Sequence, residues 1–82
     1  MKKQFEQLTE WLGWYGVLAI LLAYGLLSFS VIRSDGLVYQ LLNLTGGLGI
    51  LIDAYADKNY QPVVLNAIWI LIALFAIVNI VI

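Results

Sequence analysis

The sequence predicts an all-α integral membrane protein, a three-helix transmembrane bundle entered through a short N-terminal interfacial helix, and three observations carry that prediction. Hydrophobic residues make up 63% of the 82 and charged residues only 11%, where soluble domains hold about half and about a quarter. A chain this short cannot hide so much apolar surface from water, so a bilayer is the missing solvent. The four basic and five acidic residues fall in three clusters: Lys2, Lys3, Glu6 and Glu10; Arg33 and Asp35; Asp53, Asp57 and Lys58. Between them lie uncharged runs at 11–32, 36–52 and 59–82. At about 1.5 Å per residue each reaches roughly 25 to 36 Å, which brackets a hydrocarbon core of about 30 Å. The connections are too short to hold a further domain, so residues 1–82 form a single transmembrane unit.

Taken in order, the segment at 2–10 spaces Phe5, Leu8 and Leu12 at helical intervals between charges, as an interfacial helix does; a polar tail is the alternative. The first span, 11–32, opens with Trp11, Trp14 and Tyr15 as an aromatic anchor belt. Its small-residue stripe Gly16, Ala19, Ala23 and Ser30 runs beside Tyr24, opposite Leu18, Leu22 and Leu26. The turn at 33–36 makes the first two helices antiparallel neighbours. In the second span, 36–53, an advance of 100° per residue places Tyr39, Asn43, Gly46, Ile50 and Asp53 in one stripe opposite a leucine face. The third span, 61–82, begins at Pro62, which suits a helix start. It sets Asn66, Trp69, Ala73 and Ala76 against Val64, Ile68, Leu71 and Phe75. Lys2, Lys3 and Lys58 on one side against Arg33 on the other place the N-terminus in the cytoplasm and the C-terminus outside.

Composition also excludes function classes. With no Cys and no His there is no thiol chemistry, no usual zinc site and no Ser-His or Cys-His nucleophile. No cofactor, metal or catalytic residue is expected, and an enzyme is not. A net charge of −1 leaves nothing to neutralise a phosphate backbone, so nucleic acid is not a partner.

The inward faces supply the candidate residues. Gly16, Ala19, Ala23, Gly46, Gly47 and Ala73 are helix-packing positions, since small residues let backbones approach where no hydrophobic force separates helix from lipid. Gly47 and Trp69 sit at a similar depth, and the indole is expected to fill the glycine notch. Tyr24, Asn43, Asn66 and Trp69 form the candidate substrate pocket near the membrane centre; the alternative is that they clamp helices or a dimer interface. Asp53 continues an inward stripe and is the candidate cation or proton site; the alternative is a solvated helix end or a local ion pair beside Lys58. No charge lies near the centre of any span, so a carboxylate relay has no candidates.

Ala23-Tyr24, the stretch at 39–47 (YQLLNLTGG) and that at 62–69 (PVVLNAIW) resemble a family of small, uncharacterised bacterial three-helix membrane proteins, over about residues 12 to 76. That resemblance implies the cytoplasmic membrane of a bacterium and no particular activity. Pro62 followed by Asn66 also resembles the third helix of the SemiSWEET half-transporters of PQ-loop architecture, which pair to make a sugar pathway. The Pro-Gln pair of their first helix is absent here, where residues 24–29 read YGLLSF.

Three helices enclose too little volume for a private aqueous route, so transport requires self-association, most simply as a two-fold pair. The sequence therefore supports an oligomeric half-transporter or pore for a small polar solute. The alternative is a structural or accessory subunit, with no transport activity of its own, packed on a larger membrane partner. A lipid-handling role lies between the two.

Overall fold

The computed structural model describes residues 2–82, and these are helical apart from two turns and the final Ile82. Three helices follow in order: α1 (Lys2–Ser28), α2 (Leu37–Ala56) and α3 (Tyr60–Val81). Each is long and apolar enough to cross a membrane. The protein is thus a small all-α membrane protein with three candidate spans.

The separate interfacial helix expected over 2–10 does not form as its own element. α1 runs unbroken for 27 residues, about 40 Å. The charged segment and the apolar run contain no Pro and no turn signal between them, so the change of surroundings near Glu10 and Trp11 is not a change of backbone. Thr9, buried within this first stretch, donates from Oγ1 to the Glu6 carbonyl at 3.0 Å. Its hydroxyl therefore finds a partner without leaving the helix.

The far end of α1 stops at Ser28, short of the expected Ile32. Ser30 adopts a left-handed backbone, φ 62°. The Val31 N–H reaches the Leu26 carbonyl at 2.8 Å and the Ser30 N–H reaches Leu27 at 3.0 Å, the paired bonds of a Schellman cap. The β-branched Val31 and Ile32 that follow are poor helix continuers. The α2 end repeats the device. Lys58 takes φ 57°, with Asn59 N–H on the Ala54 carbonyl at 2.8 Å and Lys58 N–H on Tyr55 at 3.0 Å. Neither left-handed position is glycine, which costs about 1–2 kcal/mol at each.

Consequently α2 extends to Ala56, past the expected end at 53, and the second connection shrinks to residues 57–59. In the first connection Arg33 and Asp35 form a two-point ion pair at 2.9 and 3.0 Å. Its hydrogen bonds, and then its charge, hold the Asp35 carboxyl below the usual carboxylate range and raise the guanidinium. Both side chains are exposed, so the pair organises a turn more than it stabilises a fold.

α2 is the central element. It packs against α1 on one side and α3 on another, and no Cα of α1 lies within 8 Å of one in α3. The three helices of the bundle take an open arrangement, a V with α2 at its vertex. The reason lies in consecutive glycines. Gly46 faces α1 and Gly47 faces α3, and neighbouring helical positions point about 100° apart. Axes 8–10 Å from α2 in those directions lie roughly 12–15 Å from each other, beyond the usual helix-packing distance.

Candidate functional site

The α1–α2 crossing is built on backbone proximity. A Cβ on Gly16 would strike the Gly46 carbonyl oxygen, one on Gly49 would strike the Leu12 carbonyl oxygen, and one on Gly46 would lie 3.0 Å from the Gly16 oxygen and 3.2 Å from the Ala19 Cβ. Ala23, one turn on from Ala19, is fully buried. In lipid, this close approach converts small residues into van der Waals contact. A polar bond fastens the same pair of helices. Tyr15 Oη and Thr45 Oγ1 are 2.7 Å apart, and Thr45 donates its own proton to the Leu41 carbonyl at 2.9 Å. A hydroxyl has one proton, so the tyrosine donates to the threonine.

On the other side of α2 the glycine notch receives a different side chain from the one expected. Ile70 packs on Gly47, its Cγ1 3.1 Å from where a Cβ would stand, with Asn66 Oδ1 at 3.8 Å. Trp69 instead lies one position round the helix, 40% exposed, and its Nε1 donates to Asn43 Oδ1 at 3.0 Å. Helix phase puts Trp69 on the facing side of α3 and leaves Ile70 outside that stripe. Ile70 fits the notch because a branched aliphatic matches a missing side chain in volume, whereas an indole carries an N–H that must find an acceptor.

Asn43 and Asn66 are almost wholly buried, at 4% and 6% exposure. Each amide donates one turn back, Asn43 to the Tyr39 carbonyl at 2.9 Å and Asn66 to the Pro62 carbonyl at 2.8 Å. Pro62 sits in the first turn of α3, and its carbonyl is available to that amide. Among the described residues no buried side-chain nitrogen or oxygen lacks a partner. Asn43 and Trp69, with Tyr39, Gln40, Ile72 and Ala73, line a recess of about 190 Å³. Ala73 completes the buried α3 stripe with Asn66 and Ile70.

Tyr24 is not drawn into this group. It is 66% exposed and stands one turn from the end of α1, a position at which an aromatic ring suits the membrane boundary. Asp53 lies inside α2, its carboxyl packed against Gly13, where any Cβ would collide with it. With Glu6, Glu10 and Asp57 it lines a recess of about 540 Å³ between α1 and α2. The ion pair with Lys58 is not made; among the described residues Arg33 and Asp35 form the one ion pair. No group of metal-ligating side chains comes together among the described residues either.

Sequence phase missed Gly13, Tyr15 with Thr45, and Ile70. Gly49 is legible in the sequence with Gly46 and Gly47 as a groove of small residues, and it lies three residues after Gly46 on the same side of α2. The Tyr15–Thr45 bond carried no such signal, because its two members fall outside the stripes that helix phase selects.

No curated protein and no solved structure matches the chain, and the resemblance to PQ-loop half-transporters therefore draws no support. A family model does match, over residues 9–82, a range that takes in α1 from Thr9 onward, α2, α3 and both turns. The chain thus belongs to a family of uncharacterised type.

Proposed function

We propose that the chain works as an assembling subunit of a bacterial cytoplasmic membrane, most simply as a two-fold homodimer. The gap between α1 and α3 is the observation that supports this. Two helices grip α2 and leave the sector between themselves without a protein neighbour, and a helix from a second copy fits such a space at ordinary packing distances. The polar side chains of the interior are satisfied within the chain, Asn43 by Tyr39 and Trp69, Asn66 by Pro62. They serve helix association rather than solute passage, and no enzymatic role is assigned to them.

Because the sequence has no cysteine, a single introduced thiol reports contacts cleanly. Val17 lines the recess beside Asp53, whereas Leu71 is exposed on α3. Val17→Cys is expected to cross-link into a dimer in native membranes, and Leu71→Cys is not. A chain that stays monomeric with both variants, and that purifies without a membrane partner, would overturn the reading.

A second reading is favoured by one observation. The recess lined by Asn43 and Trp69 and the carboxylate-lined recess near Asp53 would together border a polar path if two copies faced one another. On this reading the protein is a half-transporter or pore for a small polar solute, and Asp53 attracts a cation at the cytoplasmic mouth. Reconstituted vesicles distinguish the two. Solute flux lost in Asn43→Leu with the dimer intact supports transport, and absence of flux in the unmodified protein removes it.

A further inference from the structure

We propose that the recess bounded by Phe5, Leu51, Ile52, Tyr55, Lys58 and Tyr60 binds an anionic phospholipid, with the phosphate on the Lys58 ammonium and an acyl chain against Leu51 and Ile52. The recess has a volume of about 390 Å³ and draws on all three parts of the chain that meet at this rim: the start of α1, the end of α2 and the start of α3. Its chemistry is graded along the membrane normal. Leu51 and Ile52 lie within α2, Tyr55 and Tyr60 stand exposed near the helix ends, and Lys58 occupies the turn between α2 and α3. That order, aliphatic then aromatic then cationic, follows a phospholipid from chain through glycerol to phosphate.

Charge is segregated around the rim. The carboxylates Glu6, Glu10, Asp53 and Asp57 line the recess between α1 and α2, and none of them lines this one. Lys58 makes no ion pair; among the described residues the single pair is Arg33 with Asp35. An unpaired ammonium above an apolar floor, with acidic groups turned to the other recess, complements an anion that carries hydrocarbon. The Lys58 backbone adds to the case. It holds the left-handed conformation that glycine adopts without strain, so the lysine stands there against the local preference of the turn. Asn59 gives α3 no side-chain cap, which leaves first-turn N–H groups beside the same cation.

The test is native mass spectrometry of the full chain from mixed micelles of phosphatidylglycerol and phosphatidylcholine, comparing the unmodified protein with Lys58→Gly and Lys3→Gln. Lys58→Gly removes the cation and relaxes the turn, so the variant keeps its fold. Lys3→Gln changes net charge equally and lies outside the recess. The unmodified chain is expected to retain phosphatidylglycerol in preference, and Lys58→Gly to lower that preference about fivefold, the effect of one lysine at an anionic surface. Lys3→Gln is expected to leave it unchanged. Equal retention of the two lipids, an undiminished preference in Lys58→Gly, or an equal fall in Lys3→Gln would each overturn the proposal. So would displacement of the lipid by glycerol phosphate at matched concentration, since the chain contact would then contribute nothing.

Discussion

Individual glycines in this protein have opposite roles, and the difference is spatial. Gly49 and Gly25 are both helical, and by intrinsic propensity each weakens its helix by about 0.5–1 kcal/mol relative to alanine. A Cβ at Gly49 would strike the Leu12 carbonyl oxygen, a backbone atom that cannot swing aside, whereas a Cβ at Gly25 meets nothing within 4 Å. Gly49→Ala is therefore expected to destabilise the folded chain by about 1–3 kcal/mol through overpacking. Gly25→Ala is expected to stabilise it by about 0.5–1 kcal/mol. Equilibrium unfolding in a mild detergent measures both, and equal effects of the same sign would show that propensity, not the crossing, governs these sites. The sequence made the glycine cluster at 46–49 conspicuous but not its division of labour. Gly46 and Gly49 serve α1 while Gly47 serves α3, and a helical wheel assigns a direction without naming the neighbour that stands there.

At the scale of the elements, apolar runs were legible and their ends were not. The three uncharged stretches coincide with three helices because the bilayer requires continuous backbone bonding over its whole thickness. Charge clusters mark where water begins, however, and a helix does not end where water begins. α1 already runs through the charged segment at its start, and α2 continues past Asp53 to Ala56. What ends α1 and α2 is backbone geometry, the left-handed Ser30 and Lys58, and neither residue type announces that conformation as glycine would. This has a measurable consequence. Ser30→Gly removes the Cβ penalty while keeping both cap bonds, from Val31 to Leu26 and from Ser30 to Leu27. The gain expected is about 1 kcal/mol, reduced somewhat by the greater freedom of glycine in the unfolded chain. A loss of stability in the same detergent assay would mean that the Ser30 hydroxyl carries an interaction of its own.

At the scale of the molecule, the open V makes the two halves of the fold energetically separable. The candidate pocket was legible in part for this reason. Asn43, Asn66 and Trp69 gather at the α2–α3 interface, as helix phase indicated, but Tyr24 is exposed on α1, whose backbone does not pack on that of α3. A closed bundle would have brought all four together, and nothing in the residue pattern distinguishes a closed bundle from an open one. The separation can be read from a double-mutant cycle on α2. Gly49→Ala disturbs the contact with Leu12 of α1. Asn43→Leu removes the acceptor of the Trp69 indole on α3, at a cost of about 0.6 to 2 kcal/mol for a hydrogen bond within a membrane. The two positions lie six residues apart on α2, roughly 9 Å, and share no partner. Their effects are accordingly expected to add within about 0.5 kcal/mol. A coupling above about 1 kcal/mol in the monomeric detergent-solubilised chain would require α1 and α3 to sense each other, and would close the V. If the coupling is absent in detergent and emerges only in lipid bilayers, where copies of the chain meet, the gap between α1 and α3 is the surface through which assembly transmits it.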